Sequence, residues 1–497
     1  MQRKKVSLAG YFLPRLQDLI FILIFFFVLR IGSNLFRDGD PGRHIVSGEI
    51  IFNTLTIPTR ELFLYPVQGQ PSPPYAWLAE VIYVAGYKAL GLGGLVVVAA
   101  LLLSITFTLV YNELMRRGAP RLLSALLTLW AASLTAIHWL ARPHLFSFLF
   151  MALLVSRLTR LAKGENVPLW QFPLILLLWA NTHTAFIFAF LVWAIFIVGN
   201  LWESFAARLR LDNPTLRKLL LSAILSLAAT FINPAGWRLW KLVLTHLSSS
   251  YLSNLISEYH SPNFHDISGL AFLLTIVASI LALSLSNKKH TPAETLLLGA
   301  WTALGLYASR DIPLYAIVTI PLWAGYARQL LDVIPPLARL ERQIESLERQ
   351  LRGMLWPVVV SLVCIALLAS GVKLDAAQQG YAFNTVEYPV SAVDWIESHP
   401  QTGNMFNYFP WGGYLIYRLW PQYEMFIDGQ FFYGETYIRQ HQQVLTAEPG
   451  WEAIIQQYDI HWALLPADST LAKVLTKESG WFLLYQDQTA VVFRLKE

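Results

Sequence analysis

A polytopic α-helical membrane protein with a C-terminal α/β domain is the fold class this sequence predicts, on three observations. Of 497 residues, 55% are hydrophobic and only 14% are charged, where soluble domains carry about 25%. Apolar runs long enough to cross a bilayer recur up to about residue 374. From residue 375 the composition turns mixed, and short helix-like and strand-like stretches alternate.

The elements follow in order. "MQRKK" leads into an apolar stretch without a small-residue cleavage site, so the start reads as an uncleaved first span. Candidate spans lie near 19–36, 93–113, 121–140, 145–162, 168–182, 185–202, 218–233, 267–286, 294–309, 312–331 and 354–374, about eleven in all. With the N-terminus in the cytoplasm, the inner loops would hold Arg3, Lys4, Lys5, Arg116, Arg117, Arg157, Arg160, Lys163, Arg208, Arg210, Lys288, Lys289, Arg339, Arg342 and Arg349. The outer loops would hold far fewer cations, as the positive-inside rule requires. An odd number of spans places the C-terminus outside. The 18 Trp and 29 Phe are expected to gather at the membrane interfaces.

The segment "YAWLAEVIYVAGYKALGLGG" (75–94) is apolar enough to resemble a span, yet counting it would reverse every later loop. Its Glu80, Lys88 and aromatics suit a helix lying on the outer interface. The first outer loop then runs from about 37 to 92. It includes a second helix, "GRHIVSGEIIFN", with Ile45, Ile50 and Ile51 able to rest on lipid. Residues 1–374 thus form the transmembrane domain. "LERQIESLERQLRG" (340–353) reads as a charged cytoplasmic helix with a solvated face. Residues 375–497 form a soluble extracytoplasmic α/β domain, with strand-like "EMFID", "HWALLPA", "WFLLYQ" and "AVVFRL". "WGGYLIYRL" begins a helix whose Gly412-Gly413 either receives an anion or permits close packing.

Several function classes drop out. No Arg/Lys stripe with interleaved aromatics exists outside the loops, so no nucleic-acid partner is expected. The single Cys364 rules out a disulfide framework or a thiolate metal site. No HExxH or His-x₃-His spacing supports a zinc hydrolase.

Chemistry concentrates on the outer side. "RDGDPGRH" places Asp38, Asp40, Arg43 and His44 directly after the first span. In an extended chain, residues two apart face the same way, so both carboxylates can serve one site as base or as hard metal ligands. A polar turn ending a helix is the plainer alternative, but the loop that follows is long and structured. Later outer loops add Arg142 and His144, His183, Asn233, Glu258 with His260, His265 and Asp266, and Arg310 with Asp311. Ionisable groups at such depth usually face a cavity.

"RDGDPGRHIVSGEIIFNTLTIP", "WLAEVIY", "ARPHLFS", "WANTHTAF", "NPAGW", "SRDIPLYA" and "FNYFPWGGYLIYRLWPQYEMFIDGQ" together resemble landmarks of bacterial multi-pass proteins of the GT-C glycosyltransferase superfamily. The opening motif also resembles the Asp element after the first span of oligosaccharyltransferases. The resemblance implies a GT-C-like enzyme of the bacterial inner membrane and cell envelope. It would move a sugar from a polyprenyl-phosphate-type lipid to a glycan, lipid or protein acceptor outside, with inversion. It also implies Asp40 as the catalytic Asp, Asp38 as the first Asp of a DxD pattern and His44 as a matching His. Glu80 is the nearest substitute for a second acid that Tyr75-Ala76 lacks, and Gln430 stands where an Arg is familiar. A divalent metal, Mg or Mn, on Asp38 and Asp40 is a further implied possibility. Substrate-binding candidates are Arg142, His144, His183, Asn233, Glu258, Arg310 and Asp311, with Arg142, His144 and Arg310 expected at the phosphate. A lipid or glycan transporter or flippase would instead show broken helices in repeated halves. A non-enzymatic membrane scaffold would leave the outer carboxylates without a role.

Overall fold

The computed structural model describes residues 12–206, 213–351, 355–430 and 433–496; Arg3, Lys4, Lys5, Arg208 and Arg210 lie outside them. Helices occupy each of the eleven apolar stretches. Among the described residues, five helices are long and apolar enough to cross a membrane: Leu92–Arg116, Arg121–His138, His144–Ala162, Thr184–Ala206 and Ile267–Ser284.

Leu92–Arg116 is the axis of the bundle. Its 25 residues reach about 38 Å. Leu95, Ala99, Leu103, Phe107, Val110 and Leu114 repeat at three or four residues and are all buried, largely against Leu16–Arg30. Ile267–Ser284 does the opposite. Leu270, Leu273, Leu274, Val277, Ile280 and Leu281 share one exposed face, an apolar strip of the kind lipid covers. Buried Trp179 and Trp193 donate their indole N–H to Ser147 Oγ at 2.8 Å and Ser222 Oγ at 3.0 Å. Each is held in the core because a serine satisfies its one polar atom.

At the far end of the bundle axis, Arg117 lies 2.6 Å from both Glu113 and Glu294. The helix Pro335–Glu348 is not fully solvated, as its charge pattern suggested. Glu341 is buried, and Glu341 and Glu348 hold Arg121 at 3.1 and 2.8 Å.

The long loop after the first helix folds into helices Asp40–Thr54 and Trp77–Leu90, which pack on each other. Trp77–Leu90 has 14 residues, about 21 Å, short of the roughly 30 Å hydrocarbon core. Ile45 and Ile51 do not rest on lipid. Both are buried and Ile50 half-buried, because the C-terminal segment covers this helix. Helix Gly412–Leu419 lies directly against Asp40–Thr54. A Cβ on Gly42 would strike the Gly413 carbonyl, and one on Gly413 the Gly39 carbonyl. The two glycines of "WGG" therefore serve close packing.

Four strands close the chain: β1 Asn404–Asn407, β2 Ile460–Pro466, β3 Trp481–Gln486 and β4 Ala490–Leu495. Their order is β1-β2-β4-β3, with β1 parallel to β2 and the other pairs antiparallel. "EMFID" is not among them. Its Met425 pairs with the loop between Asp40–Thr54 and Trp77–Leu90, accepting from Tyr65 N–H and donating to the Phe63 carbonyl. The Asn407 side chain takes the Phe426 N–H and donates to the Ile427 carbonyl. With its backbone groups already bonded, the segment has no need of a ladder. Phe383, Tyr388, Trp411 and Tyr414 belong to the same hydrophobic core as the helix bundle.

Candidate active site

The site begins where the chain leaves the first helix. Arg37–Gly39 bend, and the next helix starts at Asp40 with Pro41 in its first turn, where a missing N–H costs nothing. Asp38 Oδ1 accepts the Asp40 N–H at 2.9 Å, an anion at the positive helix end. The backbone here is not extended: Gly39 is helical at φ −74°, ψ −21°. The i, i+2 alternation therefore does not operate. The carboxylates converge for another reason, which is Arg142.

Arg142 is fixed at both ends. The preceding Ala141 N–H donates to the Leu35 carbonyl at 3.0 Å, and the Arg142 carbonyl accepts from Tyr83 Oη at 2.9 Å. Its fork then meets Asp38 Oδ2 at 2.5 Å through Nη1 and Asp40 Oδ2 at 3.0 Å through Nη2. Glu258 Oε1 is 3.6 Å from Nη1, and Glu258 Oε2 is 3.8 Å from His138 Nε2. Burial works against the guanidinium, but Asp38, Asp40 and Glu258 hold it above its ordinary range. Loss of water pushes the Asp38 carboxyl up to about 6, against the pull of Arg142 and with the help of Asp40.

These groups line a cavity of about 1160 Å³. Asp38, Asp40, Arg142, Glu258, His183, Arg310 and Asp311 lie on its wall, with Ile187, Phe188, Leu242, Val243, Leu304 and Ile312 forming apolar lining. Arg310 stacks on the Tyr259 ring at 4.5 Å, and Tyr259 Oη is 2.6 Å from His246 Nε2. Among the described residues no carboxylate lies within ion-pair distance of Arg310. Burial lifts Asp311 to about 6, opposed by Arg310.

Four expected residues do not line the cavity. His44 Nδ1 and Glu80 Oε1 are a buried pair 3.0 Å apart. That pair joins helices Asp40–Thr54 and Trp77–Leu90, and neither residue lines the cavity. His144 Nε2 is spent on the His138 carbonyl at 2.7 Å. Asn233 closes its own turn, donating to the Thr230 carbonyl and accepting from the Ala235 N–H.

Other residues belong here: sequence reasoning named Gln430 and Arg43 without a role at the site and missed Gly429, Asp428, Glu61 and Tyr433. Gly429 passes beside Asp40 on its open flank, and a Cβ there would strike Asp40 Oδ1. Gln430 lines the cavity, and its N–H donates to Asp428 Oδ1 at 2.9 Å. Asp428 is ion-paired with Arg43, which also meets Glu61 Oε2 at 2.9 Å and lies 4.7 Å over the Phe63 ring. Tyr433 Oη donates to Glu61. Burial raises Asp428 to about 6 despite Arg43; for Glu61 the same burial is outweighed by Arg43, and the carboxyl stays below its usual range. One signal was available: Glu61 and Asp428 each adjoin an apolar stretch, in "RELFLY" and "EMFID".

A divalent metal meets a poor fit. Its expected ligands, Asp38 and Asp40, already share the Arg142 fork, and among the described residues no three His, Cys, Asp or Glu groups cluster as a metal site would require.

No family model matches the chain, and no curated protein matches it. Solved structures do. The archaeal oligosaccharyltransferase AglB from Archaeoglobus fulgidus, in complex with an inhibitory peptide and a dolichol-phosphate, aligns with a TM-score of 0.58 at 13% identity, over 91% of this chain and 69% of that one. The mycobacterial arabinofuranosyltransferase AftD aligns with a TM-score of 0.51 at 13% identity, over 98% of this chain and 42% of its own length. The chain thus shares the fold of these membrane glycosyltransferases and spans under half of AftD.

Proposed function

We propose that the protein is an inverting glycosyltransferase that moves a sugar from a polyprenyl-phosphate-type donor to an acceptor on the extracytoplasmic face of the bacterial inner membrane. The observation that carries this is the Asp38–Arg142–Asp40 constellation on the wall of a cavity lined elsewhere by apolar side chains. A lipid-borne phosphate sugar needs both kinds of wall. The fold shared with AglB, solved with a dolichol-phosphate, supports the same reading.

In this reaction the acceptor hydroxyl attacks the anomeric carbon as the bond from that carbon to the phosphate oxygen breaks. Asp40 takes the hydroxyl proton, and the polyprenyl phosphate leaves with the bonding pair. Arg142 does not grip the phosphate. Its fork aims the two carboxylates. Arg310, free of any carboxylate partner among the described residues, is the cation left for the phosphate.

The test uses full-length protein in liposomes with radiolabelled polyprenyl-phosphate sugars. Asp40→Asn should lower transfer by about 10²-fold or more while membrane insertion and donor binding persist. Parental activity in that variant would reduce Asp40 to a polar turn.

A further inference from the structure

His183 is reached by a hydrogen-bond chain that decides where its proton sits. Trp179 Nε1–H can only donate, and it donates to Ser147 Oγ at 2.8 Å. Ser147 Oγ lies 2.8 Å from His183 Nδ1. The Ala185 backbone N–H, a second obligate donor, also points at Nδ1, at 3.3 Å. A nitrogen that receives a backbone N–H carries no proton of its own. Ser147, already accepting from Trp179, therefore gives its hydroxyl proton to Nδ1. The imidazole proton is left on Nε2. That atom has no hydrogen-bond partner among the described residues, and the half-buried ring lies on the cavity wall.

We propose that His183 is a neutral Nε2–H donor to a phosphate oxygen of the cavity's ligand, with Trp179 and Ser147 as positioning residues that lock its tautomer. It fills the place that His144, tied to a backbone carbonyl, cannot fill. Phosphate is the class that fits, because His183 shares the cavity with Arg310, a cation without a carboxylate partner among the described residues. Arg142 bridges Asp38 and Asp40 and offsets part of their charge. A locked neutral donor also needs no proton uptake to bind an oxyanion. This inference rests on the glycosyltransferase reading for the identity of its ligand, but on the hydrogen-bond chain for its chemistry.

The test combines a spectroscopic and a binding measurement on the full-length protein in proteoliposomes. With ¹⁵N-labelled histidine, the His183 signals are those lost in His183→Gln. They should report an unprotonated Nδ1 and a protonated Nε2, and Ser147→Ala should mix the two tautomers. Added polyprenyl monophosphate should shift Nε2. Inorganic phosphate shifting it equally would mean that the phosphate alone is read; a response to the lipid alone would mean that the tail must also be seated. His183→Ala should weaken polyprenyl monophosphate binding roughly tenfold or more. His183→Gln, whose amide reaches the Nε2 position, should retain most of it, and His183→Asn should not. A proton on Nδ1, no shift with either phosphate, or undiminished binding in His183→Ala each overturns the proposal. A protein that passes these tests yet transfers no sugar would sink the glycosyltransferase reading alone.

Discussion

Asp38 and Arg142 carry opposite halves of one residue-scale argument. The Asp38 carboxyl is pushed up to about 6 by loss of water, above the roughly 3.9 of an unfolded chain. The folded protein therefore holds a proton between about pH 4 and pH 6 that the unfolded chain has released. Stability from this residue is present at acid pH and is lost as pH rises through 6. Activity that needs Asp38 ionised moves the other way, falling below pH 6 by about tenfold per unit. Rates and melting curves from one preparation at pH 5 and pH 7.5 should show both trends, and Asp38→Asn should remove its share of each. Arg142→Lys keeps the charge but loses the fork across two carboxylates. Turnover should drop about 10- to 100-fold with little change in donor affinity. A selective loss of donor affinity instead would mean that Arg142 leaves the carboxylates for the phosphate.

At the scale of elements, Trp77–Leu90 decides the topology. Its 14 residues reach only about 21 Å, and it packs on both Asp40–Thr54 and Leu92–Arg116. Reporter fusions after Arg117 and after Lys289 should both read cytoplasmic. A periplasmic signal at Arg117 would make the segment a membrane crossing and invert every later loop. The sequence supported this placement through Glu80 and the charge of later loops. It said nothing of the close approach between Gly42 and Gly413, because no local pattern says which distant glycine a helix will meet. "EMFID" shows the same limit. Its composition is that of a strand, but its hydrogen bonds go to Phe63, Tyr65 and Asn407, partners that only the assembled chain supplies.

For the whole molecule, the C-terminal residues are part of the site's wall rather than a detachable cover. Removing 380–497 would take Asp428 from buried Arg43 and uncover Asp40–Thr54. Breaking such a buried pair costs about 3–5 kcal/mol. Truncated protein should lose donor binding together with acceptor use, and its first outer loop should become protease-sensitive; binding that survives truncation would argue for a separable lid. Hydropathy alone determined the helical bundle, since each apolar segment meets the bilayer's demand for internal hydrogen bonds by itself. The same reasoning sorted Asp38, Asp40, Arg142, Glu258 and Arg310 onto one face, because loop charge alternates with the spans. Tertiary structure alone decided which of them meet. Arg142 and Asp38 are 104 residues apart, and Arg43 and Asp428 are 385 apart. Helical period assigns a side chain to a face, but its partner there depends on how distant helices pack, which is why His183 reached the cavity and His144 did not.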